Sequence, residues 1–163
     1  MLPTILKIAN YEGESTIKGF EKTIDVRWFD HEISMPMVND TTANLRVAGK
    51  STHSPMKLGM RFNTAYPKLV SACASGKCLD KAELKLLNVT NGQASVVTAF
   101  TLTNVFVSRV RSSNTTDPNK AAEGEWCEVD LTYSEISFDY KASAENGGSG
   151  GTVASGPLVG VGK

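Results

Sequence analysis

The chain is poor in the residues on which most catalytic and metal chemistry depends. Among 163 residues it has three cysteines and two histidines. An odd, small set at Cys73, Cys78 and Cys127 excludes a disulfide framework and fits synthesis in a reducing cytoplasm. Four residues separate Cys73 from Cys78, not the two of a zinc knuckle or redox pair. A surplus of charge is also missing. Lys plus Arg number 17 and Asp plus Glu number 17, for a formal net charge of zero. Neither a sequence-independent grip on nucleic acid nor a polybasic membrane anchor is expected, because each needs clustered positive charge. No apolar run reaches the ~18 residues of a membrane helix, and residues 1–15 carry only a broken apolar patch, Ile5, Leu6, Ile8 and Ala9. Neither membrane insertion nor a secretory signal peptide is therefore expected, and export needs another route. The length fits a single domain over 1–163, and an apolar share of 40% suffices for a core.

What is present reads mostly at period two. Ile24, Val26 and Trp28 alternate with Thr23, Asp25 and Arg27, and Leu84 and Leu86 with Glu83 and Lys85, as in strands with one wet face. Val96, Thr98, Phe100 and Leu102 share one parity, and Val105 and Val107 take the other; the switch beside Thr103 and Asn104 implies a bulge or corner. A second switch falls at Ser134, between Cys127, Val129, Leu131 and Tyr133 on one side and Ile136, Phe138 and Tyr140 on the other. Long strands that change phase suit a curved sheet or barrel.

One segment breaks the rhythm. Asn63 or Thr64 is placed to cap, Pro67 fits a first turn, Tyr66, Leu69, Val70 and Cys73 fall at helical spacing, and Gly76 ends the run; one helix is expected over about 64–75. Residues 34–55 and 112–124 lack sustained alternation and read as long loops. From about residue 142 the tail holds seven of the fourteen glycines and reads as a flexible segment, although Val153, Leu158, Val159 and Val161 suit a late edge strand. The expected fold is mainly β: a small, closed or nearly closed barrel of two curved antiparallel sheets with one flanking helix.

No catalytic, cofactor-binding or metal-binding residue is expected. Gly147-Gly148-Ser149-Gly150-Gly151 matches the spacing of a nucleophile elbow but lacks the strand-to-helix turn that exposes such a serine. His31, beside Asp30 and Glu32, reads as a surface strand histidine, and His53 lies apart in a loop. Cys73 and Cys127 fall on apolar stripes and read as core thiols. Glu12, Glu14 and Glu21 flank glycines in what reads as a solvated loop.

Several blocks together resemble the haemolysin-coregulated protein family, whose members form the inner tube of type VI secretion systems. They are Glu12-Gly13-Glu14-Ser15, the strand Ile24 to Ile33, Pro67-Lys68-Leu69 with Ala72-Cys73-Ala74-Ser75-Gly76-Lys77, the stretch Phe100 to Ser108, and Val129 to Tyr140, in order over about residues 4–141. The resemblance implies a small β-barrel with one helix, a homo-hexameric ring, and stacking of rings into a tube. It further implies partners: a contractile sheath, spike or tip proteins, and effectors carried in the lumen. Residues 34–61 match the family poorly, and a C-terminal tryptophan of the family has no counterpart near Gly156-Pro157-Leu158. A tail-tube subunit of a related phage-like injection machine is the alternative; a secreted effector enzyme lacks any constellation of residues to support it.

Ring closure needs two different patches on each subunit. The parity switches at Thr103 and Ser134 put apolar residues on both sheet faces, either for such contacts or for a core covered by the helix. Residues 34–55 are expected to project along the tube axis and meet the next ring. The equal charge counts spare stacked copies from mutual repulsion and allow opposite charges to face each other across rings.

Overall fold

The computed structural model describes residues 2–40, 42, 45–114, 126–143 and 149–159. Their elements in chain order are β1 Thr4–Ile8, β2 Ile24–Asp30, β3 Ile33–Ser34, β4 Met37–Asp40, β5 Leu45–Ala48, β6 Thr52–His53, β7 Met56–Arg61, α1 Tyr66–Ser75, β8 Cys78–Thr90, β9 Gln93–Ser113, β10 Trp126–Thr132, β11 Glu135–Ser143 and β12 Ser149–Val159. Eight strands form one antiparallel sheet in the order β10-β7-β2-β1-β8-β9-β11-β12, and an additional β9–β10 pairing joins the first strand back to the sixth. The first six strands thus close into a ring, which removes their free edges. The expected two sheets are instead one sheet wrapped on itself, with β11 and β12 as an extension.

The 21-residue β9 makes this possible. One edge pairs with β8 through most of its length. The other pairs first with β11, from Thr98↔Tyr140 to Thr103↔Glu135, and then with β10, from Phe106↔Thr132 to Ser113↔Trp126. The change of partner falls at the expected parity switch. Asn104 there has φ 50°, a left-handed value that asparagine tolerates better than most residues. Leu102 is buried before the corner and Val105 and Val107 after it. The second switch is also a corner: Ser134 separates β10 from β11, and its N–H donates to the Thr103 carbonyl at 3.0 Å. The two phase changes are one bend seen from two adjacent strands.

Inside the ring, Leu6, Ile24, Val26, Met56, Leu58, Met60, Leu84, Val105, Val129 and Leu131 form a buried cluster that the helix covers with Leu69 and Ala72. The helix begins later than expected, and its N-cap is Ala65, with no side-chain cap. Asn63 Oδ1 instead accepts the Ala65 N–H at 2.9 Å, while Thr64 Oγ1 donates to the Glu12 carbonyl. Pro67 lies in the first turn, and Gly76 ends the helix at φ 63°. Val70, expected on the apolar stripe, points outward, and Ala72 takes the buried position. In β2 the alternation slips between Val26 and Trp28, where the register shifts; Trp28 is then only half-buried and Phe29 packs on the core.

Two of the expected irregular regions hold strands. Ala142 and Ser143 end β11, and β12 pairs along β11 from Glu135↔Val159 to Ser143↔Ser149, so that residues 149–159 form a late edge strand, while Val161 lies outside the described residues. Residues 144–148 lie outside the described residues, as do most of the polar stretch 112–124, whose first two residues end β9. Residues 34–55 are a hairpin arm: β3 pairs with β6 (Ile33↔His53, Ser34↔Thr52) and β4 with β5 (Met37↔Ala48 to Asp40↔Leu45).

Candidate functional site

The arm grows out of the sheet ring between β2 and β7. Its residues 32–39 and 46–50 are all exposed. Val38 and Val47 are paired directly across the ladder, 58% and 50% exposed, while Met37, 55% exposed, and Ala48 form the adjacent pair and point the other way. Ile33 and Met35 are also exposed. The arm therefore shows apolar side chains to solvent on both of its faces. Pairing along it is continued by Gly49 N–H to the Pro36 carbonyl at 2.8 Å, and by the Ser34 and Thr52 hydroxyls at 2.7 Å.

Its root is held by side chains that are distant in sequence. Tyr133, at the β10–β11 corner, donates its hydroxyl to the Ser54 carbonyl at 3.2 Å on the returning leg of the arm. The same hydroxyl lies 2.5 Å from His31 Nε2 on the outgoing leg. A phenol has one proton to give, so His31 carries its hydrogen on Nε2 and donates to Tyr133. The rings of His31 and His53 both pack against that of Tyr133, with centroids at 5.8 and 6.3 Å. The legs are tied once more by the Ser54 Oγ, which accepts the Glu32 N–H at 2.8 Å. His31 also meets the edge of Phe100, which continues into Phe29 and Phe138 at 5.5 and 4.9 Å. Burial holds His31 below its ordinary pKa; nearby His53 adds to this and Asp30 partly opposes it. Burial also pushes the Tyr133 hydroxyl up to about 12.

This cluster was not legible in the sequence. His31 and His53 read as isolated, yet the structure brings both to one tyrosine; the β3–β6 pairing that does so is only two residues long.

The other singled-out residues do not converge. Cys73, Cys78 and Cys127 are free thiols, half-buried, exposed and buried respectively. Cys127 donates to the Met60 carbonyl at 3.6 Å, and burial pushes its thiol up to about 11, as suits a core residue. Glu12 faces Lys22 at 3.8 Å in solvent. Glu21 is lowered by the backbone N–H groups of its own residue and of Gly19. Ser149 stands in β12, opposite Ser143, and not in a strand-to-helix turn. Among the described residues no three His, Cys, Asp or Glu side chains are placed to hold a metal ion, and no helix is long and apolar enough to cross a membrane.

Comparison with known proteins gives these surfaces a context. A sequence model of the family described as "Type VI secretion system effector, Hcp" matches residues 5–140. The chain is 25% identical over 138 residues to the "Major exported protein" of Pseudomonas aeruginosa, covering 83% of this chain and 78% of that one. Among solved structures, one described as a type six secretion system protein superposes with a TM-score of 0.83 at 24% identity, over 94% of this chain and 92% of that one. Hcp1 from Salmonella typhimurium superposes with a TM-score of 0.72 at 22% identity, over 94% and 93%. The match spans the ring, the arm and the β10–β11 corner alike, and on it the chain belongs to the Hcp family, the haemolysin-coregulated proteins of type VI secretion.

Proposed function

We propose that this chain is a structural, non-enzymatic subunit of a type VI secretion tube. Copies close into hexameric rings, the rings stack end to end, and a contractile sheath expels the tube with spike proteins at its tip and effectors in its lumen. Export by this machine requires no signal peptide.

Beside family membership, the observation that carries the reading is the arm. A two-stranded hairpin is marginal in water by itself, and this one exposes Val38 and Val47 on one face and Met37 on the other. Such a ribbon is stabilised by insertion between surfaces, and a second copy of the chain in the adjoining ring supplies them. The closed ring of β-strands gives it a rigid base.

The test joins native mass measurement with negative-stain imaging over a range of concentrations. Hexameric rings that stack as concentration rises are expected. Deleting the arm tip within residues 37–50 should leave the rings intact and abolish stacking. A strict monomer at all concentrations, or unchanged tubes after the deletion, overturns the reading.

A further inference from the structure

We propose that His31, His53 and Tyr133 form an acid-sensitive clamp that sets the direction of the arm, closed when the His31 imidazole is neutral and opened by its protonation. The geometry supplies the clamp. One hydroxyl ties both legs of the arm to the β10–β11 corner, through the Ser54 carbonyl on one side and His31 Nε2 on the other.

The proton bookkeeping supplies the sensitivity. Neutral His31 already donates from Nε2, so a second proton must go to Nδ1 and make a half-buried cation beside the Phe100 ring edge and facing His53. His53 Nδ1 is buried with no hydrogen-bond partner. The His31 proton is therefore bound more weakly in the closed state than in an opened one, where the ring is hydrated. The charged groups around His31 are His53, which opposes its protonation, and Asp30, which favours it but is the smaller influence. Tyr133 stays protonated throughout the acid range because its own pKa is raised.

The sign follows from linkage. A base whose proton affinity is depressed in the closed state contributes its full stabilisation above its ordinary pKa of about 6.5, and loses it as pH falls through the closed-state value. The arm is thus fixed at neutral pH and released in mildly acidic medium. If the arm joins stacked rings, which rests on the function proposed above, tubes come apart in acid without unfolding of the rings.

Hydrogen exchange on unstacked protein at low concentration tests the clamp separately from the tube. Protection factors, corrected for intrinsic exchange, are compared at pH 7.5 and 5.5 for the amides of β3 and β6. They are expected to fall several-fold, to a limit of about tenfold set by the one unit between pH 5.5 and the ordinary histidine pKa of about 6.5, while those of β8 and β9 hold. Tyr133→Phe should lower arm protection at both pH values. His31→Gln with His53→Gln, which retains an N–H donor for Tyr133, should remove the pH dependence. Imidazole NMR titration of the unmodified chain provides a readout independent of any variant: His31 titrating at or above 6.5, or arm protection equal at the two pH values, overturns the clamp. Acid-stable stacking with an acid-released arm overturns only the link to the tube.

Discussion

At Gly13 a methyl group would sit 2.5 Å from the Thr23 carbonyl oxygen and 2.7 Å from the Ile24 Cα. Those are backbone atoms at the start of β2, and they cannot rotate away. Gly13 N–H donates to the Lys22 carbonyl at 2.8 Å and Ser15 N–H to the Thr23 carbonyl at 3.0 Å, so the loop before β2 is stitched to the chain that would have to move. Gly59 is crowded in a different way: its missing Cβ is replaced by the Trp28 indole, whose nitrogen lies within 2.0 Å of where that atom would be. An indole can swing outward. Gly13→Ala is therefore expected to cost about 1–3 kcal/mol, the range for forcing an added methyl into a packed site, read by urea unfolding. Gly59→Ala should cost less and change tryptophan emission, which Gly13→Ala should leave alone. An equal loss for both, with unchanged emission, contradicts this assignment.

Among the elements, β9 carries the architecture, since it pairs with β8, β11 and β10 and bends at one residue. Asn104 adopts φ 50° at that bend, where a β-branched side chain is strained by about 1–3 kcal/mol. Asn104→Val should lower stability by that amount, and Asn104→Gly should be neutral or slightly stabilising in the same urea titration. Equal effects would place the bend elsewhere. The bend was legible in the sequence because both sides of it touch the core: Leu102 before and Val105 after must each be buried, so the parity of apolar residues records the turn. The arm was not legible for the converse reason. Met37 and Val38 are consecutive and both exposed, so no core imposes a period of two, and strands of two to four residues leave little pattern to see. The slip at Trp28 was hidden because a bulge changes faces without changing composition. The histidine clamp depends on Tyr133, 102 residues from His31, and no local pattern spans that distance.

For the whole molecule, the charge balance and the arm give opposite expectations for assembly. Equal numbers of acidic and basic residues suit ion pairs between ring faces, and such contacts weaken as salt is added. The arm instead offers Ile33, Met35, Met37, Val38 and Val47, all exposed. Fully burying a side chain of this kind is worth about 1.5–3 kcal/mol, so even half-burial of several exceeds what exposed ion pairs supply, ~0–1 kcal/mol each. The pairs within the subunit illustrate their weakness: Arg109 meets Glu128 and Asp130 at 4.0 and 3.6 Å while half exposed itself. If the chain stacks into tubes as proposed above, apolar burial should therefore decide that stacking. Raising NaCl from about 0.1 to 0.5 M, which shortens screening from roughly 10 Å to under half that, is expected to leave the sedimentable fraction unchanged or larger. Ammonium sulfate should lower the concentration at which tubes form, and cooling should raise it, because apolar association strengthens with excluded salts and weakens in the cold. Val38→Ser with Val47→Ser should raise that concentration several-fold without altering ring mass. Tubes that dissolve in 0.5 M NaCl yet tolerate the two serines would make charge the stacking force; the neutral net charge would then govern how rings recognise one another, and not merely how little they repel.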